Sequence, residues 1–314
     1  QYHGNSEFYA DFAAYRVRIH VPSDYIMAAT GEPAQTPVTR GSRKTYTFAA
    51  DNVHDFAWAA SPDFVYAEEP FSADGIPGVT IRLYLDPRHQ HLQKRYFFAA
   101  KEALARYSSW YGTYPYSTLS IVVPPAGAGG AGGMEYPTLI TAWAADRENP
   151  GYELERVVVH EIGHQYWYGM VASNEFEEAW LDEGFTSYAE EKVMQEVYGI
   201  SPKLPLESSY VTSPAPLTRF SWEYRDHSHY AENVYTRGKL VLADIERQIG
   251  TERMNEVLQT YFQRFRFKHP STADFLHVLN NVTRQDWTPY FRQYVYGALT
   301  PDYAVEQIRI KPLT

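Results

Sequence analysis

The stretch that decides the fold runs from residue 160 to residue 183 and reads HEIGHQYWYGMVASNEFEEAWLDE. Its first five residues follow the pattern H-E-x-x-H. In a helix, His164 lies about 40° around the axis from His160 and one turn further along, so both imidazoles can reach one metal ion. Glu161 flanks that ion without having to bind it, which suits a base acting on water at the metal. By itself the pattern also fits an ordinary amphipathic helix, although three valines ahead of it favour a buried one.

Glu183 is the expected third ligand. Eighteen residues separate it from His164, and a loop of that size can return a second helix beside the first. Two histidines, one carboxylate and a water make a catalytic zinc site with one open position. Glu190 lies within about 20° of two full turns from Glu183 and therefore shares its helix face. It could accept a hydrogen bond from a ligand histidine behind the metal; a solvated helix charge is the alternative.

The composition of the chain excludes several classes of protein. At 314 residues, 44% of them hydrophobic, the chain is long enough for two domains, or three. The net charge of -10 argues against nucleic acid as a partner, because phosphate binding needs a basic face. With no cysteine, the chain cannot form disulfides, thiolate zinc sites or a cysteine nucleophile. A transmembrane helix is not expected, since there is no run of 18 apolar residues.

The order of predicted elements indicates an α+β protein. Residues 1–72 are predicted to be mostly β, as the end of an N-terminal β domain, with a clear alternating strand at 15–21. A catalytic domain is predicted over 73–300, with helices at about 90–111, 152–170, 183–198, 232–249, 251–266, 272–282 and 285–295. Residues 301–314 are expected to start a further segment or to form a tail. The first residues do not form a signal peptide. No compartment is indicated, and an extracytoplasmic or membrane-attached parent protein stays open.

The zinc pattern resembles a known family. H-E-x-x-H, eighteen residues, then Glu183 within the run WLDEGF at 180–185, is similar to the gluzincin aminopeptidases, which include membrane alanyl aminopeptidase, bacterial aminopeptidase N and leukotriene hydrolase. The run HQYWYG at 164–169 is similar to the family's His-Gln-Trp-x-Gly, with one extra aromatic residue. The resemblance implies a thermolysin-like catalytic domain with a helical second lobe. It also implies one Zn²⁺ per chain and hydrolysis at the amino terminus of peptides.

A glycine-rich segment carries the second resemblance. The run GAGGAG at 127–132 matches G-x-G-x-x-G, but Pro137 soon after it breaks any helix, so a dinucleotide site is rejected. Residues 132–136, GGMEY, instead resemble the family's Gly-x-Met-Glu-Asn motif, with Tyr136 in place of Asn. The resemblance implies that the backbone of Gly132, Gly133 and Met134 aligns the substrate. It implies that Glu135 binds the α-amino group; a solvent-facing glutamate is the alternative.

A third resemblance concerns the oxyanion formed during peptide hydrolysis. Residues 235–238, YTRG, resemble the family's Tyr-x-Lys-Gly segment, which carries the tyrosine that stabilises the transition state. By position, Tyr235 is that catalytic residue, with Arg237 keeping the positive charge of the usual lysine. With 27 tyrosines in the chain, only this setting singles out Tyr235.

Taken together, these patterns favour a zinc-dependent aminopeptidase acting on peptides with a free amino terminus. A thermolysin-type endopeptidase would use the same zinc ligands, and a catalytically silent peptide-binding module would keep the same fold. Compared with the family that this sequence resembles, the expected N-terminal β domain is short, and the helical domain that closes the cleft in that family is missing. We therefore expect flanking domains to be absent from this chain, leaving a more open cleft.

Overall fold

The chain folds into strands first and helices afterwards, which is the α+β arrangement predicted from the sequence. The computed structural model describes residues 9–73, 75–125, 127–145 and 152–303. Within these ranges the strands are β1 Ala13–Pro22, β2 Ile26–Ala29, β3 Glu32–Pro33, β4 Val38–Arg40, β5 Arg43–Val53, β6 Trp58–Ser61, β7 Val65–Ala73, β8 Ile76–Leu85, β9 Thr118–Val122 and β10 Leu139–Thr141. The helices are α1 Gln93–Trp110, α2 Glu153–Gly163, α3 Glu175–Glu178, α4 Trp180–Tyr198, α5 Leu204–Ser209, α6 His227–Ala231, α7 Gly238–Ile249, α8 Thr251–Phe265, α9 Thr272–Thr283 and α10 Thr288–Tyr294.

The strands form three sheets. In the first, β5 pairs antiparallel with β1, β3 and β4. A two-stranded sheet joins β2 and β6. The third sheet has four strands in the order β10-β9-β8-β7. In it, β9 is parallel to both neighbours, and β7 forms an antiparallel hairpin with β8. All residues of β9 are buried, which is typical of a strand covered on both faces.

The predicted domain boundary between residues 72 and 73 falls inside the β7–β8 hairpin, where Ala73 pairs with Ile76. Strand pairing thus joins β7 to the sheet that also contains β8, β9 and β10. The division into domains itself stays a prediction. Most of the predicted terminal segment, residues 304–314, lies outside the described residues.

The zinc-motif helix α2 packs in the main core, between the sheet-bound helix α1 and the helix α4 that carries Glu183. Helix α4 in turn packs on α7, and the two backbones meet at a pair of glycines. A Cβ on Gly184 would fall 2.9 Å from the Cα of Gly238, so neither position has room for a side chain. This close approach fixes α4 against the segment that carries Tyr235.

The sequence prediction of one helix over 152–170 is wrong at its C-terminal end, because α2 stops at Gly163. A tight turn follows, in which the Gly169 N–H donates to the His164 carbonyl at 2.7 Å and Tyr168 has a φ of 126°. Residues 172–179, which include α3, connect this turn to α4. By contrast, the predicted start of α9 is confirmed: Ser271 and Asp274 form a capping box.

The first sheet contacts the catalytic region through a few polar bonds. The Gly31 N–H donates to Thr138 Oγ1 at 2.8 Å, and Tyr116 donates its hydroxyl to the Asn52 carbonyl at 2.7 Å. His54 Nε2 lies 2.9 Å from the carbonyl oxygen of Tyr168, in the turn after α2. Within the described part of the chain, no helix is both long and apolar enough to span a membrane.

Candidate metal centre

Three side-chain atoms converge where α2 meets α4. The Nε2 atoms of His160 and His164 lie 3.0 Å apart, and Glu183 Oε2 lies 3.3 Å and 3.1 Å from them respectively. Tetrahedral zinc, with bonds of about 2.0–2.2 Å, holds its ligand atoms about 3.3 Å apart. The triangle therefore has the size that a zinc ion requires.

Each histidine of the triangle is backed by a carboxylate on its other ring nitrogen. His160 Nδ1 lies 2.8 Å from Glu190 Oε2, and His164 Nδ1 lies 2.5 Å from Asp182 Oδ1. These contacts keep a proton on each Nδ1 and leave each Nε2 with a free lone pair. Two lone pairs and a carboxylate oxygen facing one another at about 3 Å repel, unless a metal ion lies between them or an imidazole binds a second proton. The donor set thus fits a divalent metal such as zinc.

The two histidines and the glutamate of the triangle strongly shift one another's pKa values. Burial alone would lower the pKa of His160, but hydrogen bonds with Glu183 and Glu190 outweigh it and raise the pKa to about 10. Burial would raise the pKa of Glu183, but the two histidines lower it well below its usual range. In the metal-free site, the carboxylates therefore favour protonated histidines, which supply the positive charge that a metal ion would otherwise supply.

Glu161 lies next to His160 on α2 but does not join the triangle. It is buried, and its Oε2 atom makes no hydrogen bond to any described residue. Burial raises its pKa to about 7, against the opposing charges of His160 and His164. A carboxylate with that pKa can both accept and release a proton near neutral pH.

Tyr235 lies across the site, in a π-helical segment at Glu232–Arg237 that precedes α7. Its hydroxyl donates to Glu183 Oε1 at 2.5 Å, and its ring stacks on the His160 ring at a centroid distance of 6.0 Å. π-Helical turns are frequent at functional sites because they redirect single side chains. Arg237 is fully buried and donates to backbone carbonyls, including that of Leu299 at 2.6 Å, so its charge faces away from the metal site.

The segment Gly132–Glu135 runs antiparallel beside the end of β10. The Gly133 N–H donates to the Thr141 carbonyl at 2.8 Å, and the Thr141 N–H donates to the Met134 carbonyl at 2.9 Å. Gly133 has a φ of 72°, which a residue with a side chain rarely adopts. Glu135 is 3% exposed, and one of its carboxylate oxygens lies within 4.8 Å of a ring nitrogen of His164 and of a carboxylate oxygen of Glu183. The structure thereby brings the segment and the metal triangle into one cleft.

Two residues of the site were not singled out from the sequence. Asp182 backs His164, but an acidic residue in the first turn of a helix is common without any function. Gln165 joins the two halves of the site: its Oε1 accepts the Thr138 N–H at 2.8 Å, and its Nε2 donates to the Glu135 carbonyl at 3.2 Å. For Gln165 no spacing rule gives a signal, because its partners lie on a loop about thirty residues earlier.

Comparison with known proteins agrees with this geometry. A family model described as "Peptidase family M1 domain" matches residues 97–294. The chain belongs to peptidase family M1. This confirms the family resemblance drawn from the zinc motif. Among curated relatives, leucine aminopeptidase 2-1 of Meyerozyma guilliermondii is 27% identical over 56% of this chain and 32% of that protein. Aminopeptidase 2 of Candida albicans is 22% identical over 94% of this chain and 33% of that protein.

Two solved structures share the fold. The M1 zinc metallopeptidase from Deinococcus radiodurans superposes with a TM-score of 0.74 at 23% identity, covering 93% of this chain and 65% of that one. Aminopeptidase A of Legionella pneumophila, solved with aspartic acid, gives a TM-score of 0.78 at 17% identity over 91% of this chain and 35% of that one. The chain spans about a third of the length of the curated relatives it matches.

Proposed function

We propose that this chain is the catalytic region of a zinc aminopeptidase, which removes residues from the free amino terminus of peptides. The observation that carries the proposal is the position of Glu135. One oxygen of its buried carboxylate lies within 4.8 Å of a ring nitrogen of His164 and of a carboxylate oxygen of Glu183. A peptide that binds its α-ammonium group there presents its first peptide bond beside the metal triangle.

Zinc would be held by His160 Nε2, His164 Nε2 and Glu183 Oε2. When bound, it would activate a water molecule and polarise the carbonyl of the first peptide bond. Glu190 and Asp182 orient the two imidazoles through their Nδ1 atoms and increase their basicity toward the metal. This donor set leaves room for one more ligand, as catalytic rather than structural zinc sites do.

Glu161 is the proposed general base. Its carboxylate accepts a proton from the attacking water and passes it to the nitrogen of the leaving amine. The raised pKa, about 7, suits both steps because the group exchanges its proton near neutral pH. Its burial keeps bulk water from competing for that proton.

Tyr235 is the proposed donor to the oxyanion. Its hydroxyl lies beside Glu183 and keeps its proton, because burial and the nearby Glu183 charge raise its pKa well above the usual value. When that proton turns from Glu183 Oε1 to the developing oxyanion, it stabilises the transition state more than the substrate. The backbone of Gly132, Gly133 and Met134 is proposed to align the peptide as an added extended strand.

One comparison of substrates tests this function and its two alternatives. The chain is depleted of metal, reloaded with zinc, and given a peptide with a free amino terminus and its N-acetyl counterpart. The proposed function predicts cleavage of the free peptide only, since acetylation removes the charge that Glu135 binds. Equal cleavage of both peptides favours the thermolysin-type endopeptidase. Zinc binding without cleavage of either, across a panel of aminoacyl substrates, favours a silent binding module.

A further inference from the structure

The indole of Trp143 lies against the substrate-binding segment. A Cβ built on Gly132 would fall 2.1 Å from Trp143 Cδ1, so the indole fills the space that a side chain at 132 would need. A Cβ built on Gly133 would have Trp143 Cζ2 at 3.5 Å and Glu161 Oε1 at 3.7 Å. The indole therefore reaches the part of the cleft in which the proposed base lies.

Hydrogen bonds hold the backbone at Trp143, whereas its side chain is partly exposed to solvent. Its carbonyl accepts the Tyr96 hydroxyl at 2.7 Å, and the N–H of the preceding Ala142 donates to the Val122 carbonyl at 2.8 Å. The residue is nevertheless 48% exposed. A single exposed aromatic is ordinary on a protein surface. At this position, however, an apolar ring on a hydrogen-bonded backbone lies against the proposed substrate-binding segment.

The direction of that path follows from Glu135. A peptide added antiparallel to Gly132–Glu135 starts at Glu135 with its amine and runs toward Gly132. The indole lies against Gly133, two residues before Glu135, and Glu161 Oε1 lies 3.7 Å from a Cβ built on Gly133. Because Glu161 is the proposed base at the bond that is cleaved, the indole borders the residue that follows this bond. The side chains that follow the cleaved bond therefore lie at the Trp143 end of the segment.

We propose that Trp143 forms a wall of the subsite for the second residue of the substrate and favours aromatic residues there. This inference rests on the proposed aminopeptidase function, because it takes its direction from the amine bound at Glu135. Aromatic rings gain by offset or edge-to-face packing beyond the area they bury. A glycine at the second position makes no such contact.

The test compares the peptides Leu-Phe-Ala and Leu-Gly-Ala on the zinc-loaded chain. The ratio of their kcat/KM values should favour Leu-Phe-Ala and fall about tenfold in Trp143→Ala, through loss of the Leu-Phe-Ala rate alone. Trp143→Phe keeps an aromatic ring and should retain most of the ratio. Trp58→Ala removes a tryptophan that is 53% exposed on β6 and serves as the matched control, with no change expected.

A binding measurement keeps the two proposals separable. In the Glu161→Gln background, calorimetric Kd values for the two peptides should show the same preference, and Trp143→Ala should remove it. An unchanged Kd ratio in Trp143→Ala overturns the role of Trp143, whether or not the wild type turns the peptides over. Absence of turnover with a normal Kd ratio contradicts the proposed function instead. Zinc content and thermal unfolding of Trp143→Ala establish that it folds, and Trp143→Leu, which removes the aromatic ring but keeps an apolar side chain, repeats the comparison if it does not.

Discussion

The two ends of the cleft are built in different ways. At the metal end, His160, His164 and Glu183 project from two packed helices, and each histidine has a carboxylate behind it. At the amine end, Glu135 lies on a short extended segment, held by backbone pairing with Thr141 and by the side chain of Gln165. The metal end is thus fixed by helix geometry, and the amine end by a few hydrogen bonds.

This difference separates the chemistry from the choice of substrate. Changes at the metal end should affect zinc or turnover with every substrate. Changes along the amine end should affect which peptides are bound and leave the metal in place.

Glu161→Gln should reduce kcat by about 10²–10⁴-fold with every peptide, because the amide cannot accept a proton from water. Zinc should stay bound at one ion per chain, since Glu161 is not part of the ligand triangle. Metal analysis and steady-state kinetics on one preparation check both points. Glu153→Gln, at the exposed start of the same helix, is the control. A near-normal rate in Glu161→Gln would remove the general base from the mechanism.

Tyr235→Phe should lower kcat by about 10²–10³-fold with little change in KM, because the hydroxyl acts mainly as charge develops on the oxygen. The loss should be similar for all peptides, which would assign Tyr235 to the metal end. Kinetics over a set of peptides that differ in their first residue provide the measurement. A rise in KM alone would instead make Tyr235 a substrate-binding residue.

Glu190→Gln and Asp182→Asn should each weaken zinc binding by about 10–100-fold, because each removes a carboxylate that orients a ligand histidine. Competition with a chromophoric chelator gives the affinities. Neither variant should alter the preference among peptides once zinc is saturating. Glu191→Gln, next to Glu190 but without contact to His160 in the described structure, is the control; an equal loss there would argue against specific orientation.

The smallest expected effect lies outside the cleft, at His54. Burial lowers its pKa to about 4, below the value of about 6.5 in an unfolded chain. Acid therefore favours the unfolded state, and stability should fall between pH 6.5 and 4 by about 3 kcal/mol at most. Denaturant unfolding of wild type and His54→Gln at several pH values isolates this contribution. The exposed His20→Gln is the control, and identical pH profiles for wild type and His54→Gln would contradict the assignment.

The sequence predicted most of the metal end, for a physical reason. Helical periodicity is regular, so an i, i+4 pair of histidines and an i, i+7 pair of glutamates can be assigned to one face without a structure. The same regularity misled the prediction at the end of α2. The turn there depends on hydrogen bonds such as Gly169 N–H to His164 O, which residue spacing does not encode.

The role of the amine end was predicted from the sequence only by its resemblance to a known family. A short segment such as Gly132–Glu135 has no periodic signal, and its position depends on distant partners. Trp143 explains in retrospect why residue 132 must be glycine, but nothing in the sequence links the two. Asp182 was missed because its contact with His164 depends on how α4 packs on α2.

Glu135 is proposed to bind the α-ammonium group of the peptide, so that cleavage at the metal site begins at the amino terminus. The most direct measurement follows a ten-residue peptide with a free amine by mass spectrometry, using the zinc-loaded wild type and Glu135→Gln. We expect a ladder of products that lose one residue at a time from the amino terminus, and about 10²-fold slower formation of that ladder in Glu135→Gln with zinc retained. Internal fragments from the wild type, or an unchanged ladder in Glu135→Gln, would contradict this role of Glu135.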